Sequence, residues 1–278
     1  MIRRLLGALA VAATATAVLG TTPALAATTT FAGTVALSNC SGSVVKPAGT
    51  PDTAPALVLS NGHCLESGMP RPGQVIVNRA SSRSFSLLSP DGQRSLGALR
   101  AKKIVYGTMT DTDVSLYQVS TTYAQIKRQY GITALELSNA HPADGVRMDV
   151  VSGYWKQIYS CTVNGFVHEL RENGWVWKDS IRYTPDCQTI GGTSGSPVVE
   201  TSTGKVIGVN NTRNENGEEC TLNNPCEVDE SGNVTVHPDT PYGQETYGIP
   251  ACLTQANEID LARPGCSLPK PLAVDAAA

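Results

Sequence analysis

What most constrains this chain is a succession of short β-branched segments, each cut off by Gly, Pro, Asp or Ser before a helical period can establish itself. Phe31–Leu37, Ala56–Ser60, Gln74–Asn78, Ser84–Leu88, Lys102–Tyr106 and Val114–Val119 make a first set. Arg147–Ser152, Gln157–Val163, Trp175–Lys178, Ile181–Tyr183, Pro197–Glu200 and Lys205–Val209 make a second. Alternating β-branched runs of this length, punctuated by turn residues, predict strands, and two sets of about six predict an all-β, barrel-like architecture. Tyr123 to Asp144 reads as the connection between the sets.

The start is a different kind of segment. Basic Met1-Ile2-Arg3-Arg4 leads into an apolar, alanine-rich run from Leu5 to Gly20 and then Ala24-Leu25-Ala26. That order of charge, apolar run and small residues predicts a secretory signal peptide over residues 1–26, cut between Ala26 and Ala27. A membrane anchor is the alternative, but the run is shorter than the ~20 residues a spanning helix needs. The mature part, of roughly 250 residues, is long enough to bury most of its unfolded surface.

All eight cysteines, Cys40, Cys64, Cys161, Cys187, Cys220, Cys226, Cys252 and Cys266, fall in that mature part. An even count in an exported chain predicts disulfides, and no Cys-x-x-Cys or His-x-x-His spacing points to zinc. A net charge of -3 gives no general attraction to nucleic acid or anionic membrane, and 5% aromatic residues offer no base-stacking surface. From Asn214 to Asp239 the chain carries seven Asp and Glu side chains, Glu215, Glu218, Glu219, Glu227, Asp229, Glu230 and Asp239. Such a run could gather the oxygens of a Ca²⁺ site, and the competing reading is a solvated, disulfide-stapled loop. Leu268–Ala278, rich in Pro and Ala, reads as a frayed tail.

The chemistry concentrates in Gly191-Gly192-Thr193-Ser194-Gly195-Ser196-Pro197, followed by Val198-Val199. A serine between glycines can be presented on a tight loop, with the N–H groups of Gly192 and Ser194 turned toward a developing oxyanion. A serine hydroxyl needs a base, and that base needs an orienting carboxylate. His63 ends the apolar Leu57-Val58-Leu59 run in a small-residue turn beside Cys64, whereas His141 precedes a proline, His168 lies in an alternating stretch and His237 in a polar loop. Asp113, at the mouth of Val114-Ser115-Leu116-Tyr117, is a better-placed acid than its rival Asp111, which threonines flank.

These residues resemble the chymotrypsin-like (trypsin-like) serine peptidases of the secreted bacterial branch. Gly62-His63-Cys64 is similar to the end of that family's Ala-Ala-His-Cys box, Asp113-Val114-Ser115-Leu116 to its Asp-Ile-Ala-Leu box, and Gly192-Thr193-Ser194-Gly195-Ser196-Pro197 to its Gly-Asp-Ser-Gly-Gly-Pro box. The order His, Asp, Ser is the family's, the resemblance runs from about Phe31 to Val209, and Ser-Gly-Ser-Pro is similar to the glutamyl endopeptidase group. It implies two six-stranded antiparallel β-barrels packed face to face, residues 27–130 carrying His63 and Asp113, and residues 131–266 carrying Ser194. The site would lie in the cleft between them, with a flexible tail over 267–278. It also implies the bridges Cys40–Cys64 and Cys161–Cys187; Cys220–Cys226 and Cys252–Cys266 follow by elimination and proximity.

Carried over residue by residue, the resemblance makes Ser194 the nucleophile, His63 the base, Asp113 its orienter, and Gly192 and Ser194 the oxyanion donors. Gln188 falls at the base of the specificity pocket and carries no charge. Thr189 suits the glutamyl group, yet Asn210 stands where that group has a histidine, and Asn211, Thr212 and Arg213 replace the usual Ser-Trp-Gly along the substrate strand. The function expected is a secreted, monomeric serine endopeptidase acting on polypeptides, with no cofactor, no metal, no nucleic acid and no membrane partner after signal removal. Two rivals are a catalytically silent homologue that binds rather than cleaves, and an esterase on another fold, which would want a Gly-x-Ser-x-Gly elbow between strand and helix.

Overall fold

A computed structural model describes residues 28–272. The expected signal peptide and the last six residues of the expected tail lie outside the described residues. No helix among the described residues is long and apolar enough to cross a membrane.

The first sheet is built from β1 (Thr34–Ala36), β2 (Ser41–Lys46), β3 (Pro55–Ser60), β4 (Val75–Ala80), β5 (Ser84–Leu88), β6 (Ser95–Thr108), β7 (Val114–Thr122) and β8 (Leu135–Glu136). The order β1-β5-β6-β7-β3-β2 closes through a β1–β2 pairing into a six-stranded barrel. Its pairings are antiparallel, as in Val58↔Tyr117, and β8 adds to β2 in parallel.

The second sheet takes β9 (Arg147–Ser152), β10 (Gln157–Glu172), β11 (Trp175–Tyr183), β12 (Pro197–Glu200), β13 (Val206–Arg213), β14 (Cys226–Val228), β15 (Val234–Thr235) and β16 (Pro241–Glu245). Here the ring is β11-β16-β13-β12-β9-β10, closed by β10–β11 and also antiparallel. The fold is therefore all-β, as the strand pattern predicts, with the two six-stranded barrels that the resemblance implies.

The apolar runs are continuous rather than alternating because many of these strands are buried on both faces. Successive side chains of a strand point to opposite sides. Accordingly Ala56, Val58, Tyr117 and Val119 fill the first barrel, while their neighbours Leu57, Leu59, Val114 and Leu116 face outward into a second cluster. The other barrel does the same: Val150, Val198 and Ile207 are internal, and Val151, Val199 and Val206 join Leu57 and Leu59 outside. This shared layer is the seam between the barrels. Each fully buried Leu or Val in it stabilises by about 1.5–3 kcal/mol relative to exposure, so the barrels are held as one body.

The connection contains one helix, α1 (Tyr123–Tyr130). Thr122 and Gln125 form a capping box at its start, and Gly131, at φ 69°, ends it. Residues beyond β16 do not stay with the second barrel. Cys252, Leu253 and Ile259 pack into the seam, Leu268 lies against it, and Tyr106 of the first barrel donates its hydroxyl proton to Pro269 O.

Four disulfides are present: Cys40–Cys64, Cys161–Cys187, Cys220–Cys226 and Cys252–Cys266. The acidic residues of 214–239 do not converge on one point. Glu218 accepts from Thr221, Glu227 pairs with Arg182 and Tyr242, Asp229 accepts from Ser231 and Asn233, and Asp239 pairs with Arg213.

Candidate active site

His63 leaves β3 on a turn that is fixed from several directions. Cys64 is bridged to Cys40 behind it, and the buried guanidinium of Arg83 donates to Cys64 O at 2.6 Å and to the Tyr117 hydroxyl at 3.0 Å. Asp113, just before β7, is fully buried. One of its carboxylate oxygens accepts from His63 N at 3.0 Å, and the other lies 2.7 Å from His63 Nδ1. Asn61 completes the frame by donating to Asp113 O at 2.8 Å while its own carbonyl accepts from Ser115 Oγ at 2.7 Å.

That pairing leaves Nε2 as the outward ring nitrogen. Burial alone would push the His63 pKa down. The charge of Asp113 and its hydrogen bond, with a smaller contribution from the charge of Glu172, outweigh burial and hold it above the ordinary histidine value.

The loop before β12 presents Ser194 through backbone geometry that glycine allows. Gly192 and Gly195 have φ of 87° and 77°. A Cβ on Gly192 would sit 2.9 Å from Trp155 Nε1, and one on Gly195 would run into Ser41 O and Ser60 Oγ. The loop is anchored by Ser41 N to Ser194 O at 2.8 Å, Gly195 N to Asn210 O at 2.9 Å, and Trp155 Nε1 to Gly191 O at 2.8 Å. Among the described residues, no hydrogen bond takes up Gly192 N or Ser194 N. Two free N–H donors on one tight loop are a site for a developing negative charge.

His63, Thr189, Ser194, Asn210, Asn211 and Thr212 all line one open cleft. Gln188 does not line it: its side chain is exposed and its amide turns back to donate to Pro185 O at 2.9 Å. Ser194 Oγ donates to Asn211 O at 3.3 Å, and among the described residues no hydrogen bond joins it to His63. Asn210 is 2% exposed and directs its amide to Thr193 rather than outward. β12 pairs with β13 no further along β13 than Val209, so Asn211–Arg213 has an edge without a β12 partner.

Several lining residues carry no sequence signal. Glu172, Trp175 and Trp177 come from the β10–β11 hairpin, and Met69 and Met109 from loops of the first barrel; Arg213, of the expected substrate strand, also lines the cleft. Glu172 is the chemically notable one. It is 5% exposed and accepts from Thr212 Oγ1 at 2.6 Å and Asn223 N at 3.0 Å, and burial raises its pKa against the effect of those bonds.

Comparison with solved structures finds the MamO protease domain from Magnetospirillum magneticum at 14% identity, TM-score 0.48, covering 81% of this chain and 98% of that one. A thermostable serine protease AL20 from an extremophilic microorganism is similar at 16% identity and TM-score 0.44, covering 78% of this chain and 91% of that one. Nocardiopsis protease follows at 13% identity and TM-score 0.42, covering 77% and 90%. No curated protein sequence matches the chain. The family profile described as "Trypsin-like peptidase domain" matches residues 40–209, a span that includes His63, Asp113 and Ser194. Because that match covers more than half of the sequence, the chain belongs to the trypsin-like peptidase domain family.

Proposed function

We propose that this protein is a secreted serine endopeptidase using Ser194, His63 and Asp113. The observation that carries the reading is the buried Asp113 carboxylate 2.7 Å from His63 Nδ1, with His63 and Ser194 lining the same cavity. His63 Nε2 takes the Ser194 proton as Oγ attacks the scissile carbonyl, and the Gly192 and Ser194 N–H groups hold the oxyanion. The imidazolium then returns the proton to the leaving amine, and a water repeats the sequence to release the acid. The open edge at Asn211–Arg213 suits an extended polypeptide added as a further strand. Four disulfides accord with an extracellular site of action.

One observation favours a silent homologue: the Ser194 hydroxyl is bonded to Asn211 O instead of His63. A rotation about χ1 would redirect it, and hydrogen bonds in uncomplexed sites often tighten when substrate binds. A fluorophosphonate probe separates the two readings. The proposal expects covalent labelling of Ser194 and cleavage of a mixed peptide library, both lost in Ser194→Ala and His63→Ala. Folded protein that neither labels nor cleaves would establish the silent reading.

A further inference from the structure

On the flank of the second barrel, three residues that the active site does not use converge. His141 comes from the segment between β8 and β9, Asp179 from β11 and Glu245 from the end of β16. His141 Nε2 lies 3.2 Å from Asp179 Oδ2 and 3.5 Å from Glu245 Oε1, and the three donor atoms all fall within 4.8 Å of one another.

The ring of His141 is fixed in one orientation. Its Nδ1 lies 2.7 Å from Pro142 O, and a carbonyl only accepts, so Nδ1 carries a proton. The Phe166 and Tyr247 rings stand 4.3 and 5.1 Å from it, centroid to centroid. In the neutral imidazole, Nε2 therefore presents its lone pair to two carboxylates. That is the arrangement of a metal ligand whose other nitrogen is held by a second group.

An imidazolium paired with the carboxylates is the competing account. It leaves both oxygens of Glu245 without a hydrogen bond. The Glu245 side chain is 8% exposed, and both of its carboxylate oxygens are shut off from solvent without a hydrogen-bond partner. One Nε2–H satisfies one acceptor, and its hydrogen bond goes to Asp179. A buried carboxylate left without a hydrogen bond is costly, whereas a cation with several coordination positions satisfies all three donors at once.

The spacing fits such an ion. With metal–ligand bonds of about 2.0–2.1 Å, the edge of a tetrahedron is roughly 3.3 Å. Tyr247 donates to Asp179 Oδ2 at 3.1 Å and so orients that carboxylate. His141 and Asp179 are each more than a third exposed, which leaves a way in and room for a water as fourth ligand.

We propose that His141, Asp179 and Glu245 bind one divalent transition-metal ion of the Zn²⁺ class, clasping the segment that enters the second barrel to β11 and β16. One imidazole nitrogen with two carboxylates suits Zn²⁺ better than Ca²⁺, which takes six to eight oxygens.

The test uses the folded full-length mature protein, dialysed against chelator and then titrated with ZnCl2 by calorimetry, with metal content measured after desalting. The expected result is one Zn²⁺ per chain, and an affinity at least roughly a hundredfold weaker in His141→Gln and in Glu245→Gln. At a hundredfold excess over Kd, Zn²⁺ should raise Tm by roughly 5–10 °C in the wild type. Should Glu245→Gln not fold, Asp179→Asn, at an exposed position, serves in its place. No retained Zn²⁺, stoichiometry and affinity unchanged in the variants, or uptake of Ca²⁺ in preference to Zn²⁺ would each overturn the proposal. The readout is metal content, so Ser194→Ala protein must bind Zn²⁺ equally well.

Discussion

Asn210 Nδ2 donates a 3.0 Å hydrogen bond to the Thr193 hydroxyl, and that hydroxyl donates onward to Ile190 O at 2.6 Å. Thr193 directly precedes Ser194, and both Thr193 and Asn210 are 2% exposed. The loop that carries Ser194 is thus braced by a neutral, buried hydrogen-bond chain. An ammonium brought into this place would find no opposite charge on Thr193, and burying an unpaired charge is strongly unfavourable.

Thr193→Val should therefore lower kcat about tenfold to a hundredfold, because it strands the Asn210 amide at a cost of about 1–3 kcal/mol next to the proposed oxyanion donors. Thr193→Ser should keep most of the activity. Extending the mature N-terminus by several residues should change turnover little, since Phe31 is tied to Pro90 O in the first barrel rather than to this loop. Active-site titration with kcat measured on both N-terminal forms checks this; a hundredfold deficit in the extended form would show that a free amine is needed.

The pH profile follows from the charges around His63. As the proposed base, His63 must be neutral to accept the Ser194 proton, so kcat/KM should rise with pH through the His63 pKa. Asp113 and Glu172 hold that pKa above the ordinary value against the opposing effect of burial, so the acid limb should lie above the usual histidine range. Glu172→Gln removes one of the raising charges and should move the limb to lower pH. For stability the sign is the reverse of the rate. Protonated His63 is favoured in the folded state, so its contribution is full below the unfolded pKa and fades as pH rises through the folded one. A limb that does not move in Glu172→Gln would remove Glu172 from the electrostatics of the site.

The strand pattern was legible because burial on both faces leaves runs such as Leu57-Val58-Leu59 apolar throughout, and turn residues bound them. Other elements were hidden for physical reasons. β2 begins Ser41-Gly42-Ser43, which reads as a turn until barrel closure buries all three. β10 runs on to Glu172 through Asn164-Gly165, where Gly165 at φ 113° and a register shift absorb what looks like a break. In the site, His63, Asp113 and Ser194 sit in local contexts that marked them as candidates, and the fold brings His63 and Asp113 within hydrogen-bond distance and His63 and Ser194 to one cleft. Glu172 has no such context, since its place in the site is decided by the β10–β11 hairpin and by Thr212 and Asn223, distant in sequence, and the inward turn of the Asn210 amide toward Thr193 is likewise set by the fold. His141 gave no signal beyond the following proline, because its partners lie 38 and 104 residues further along the chain.

The Cys40–Cys64 bridge closes a 24-residue separation behind His63. Replacing both cysteines by alanine should cost about 2–4 kcal/mol in denaturant unfolding, chiefly by freeing the unfolded chain. It should also lower kcat, because Arg83 holds the same turn through Cys64 O but cannot restore the covalent limit on it. Full stability and full activity in the double variant would show that Arg83 and Asp113 hold the turn alone.

The last prediction concerns the segment that returns from the second barrel to the first. Asn257 is fully buried at φ 59°, a left-handed conformation that asparagine tolerates and alanine resists. Its Nδ2 donates to Pro55 O at 2.7 Å and to the Tyr123 hydroxyl at 2.9 Å, and its backbone carbonyl accepts from Gln118 Nε2 at 3.3 Å. Next to it, Glu258 pairs with Lys103 of β6. Asn257 thus joins the C-terminal segment to β3, β7 and α1 at one point. Asn257→Ala removes two buried hydrogen bonds and adds backbone strain, for an expected loss of roughly 2–4 kcal/mol. Asn257→Gly removes the same bonds without the strain and should lose less, by about the 1 kcal/mol or so that the left-handed conformation costs an alanine. Because the seam is shared by both barrels, each variant should still unfold in one cooperative transition at a lower midpoint. Equal losses for Ala and Gly would show that the backbone conformation contributes nothing, and a second, separate transition would show that the barrels are coupled mainly through this segment rather than through the seam.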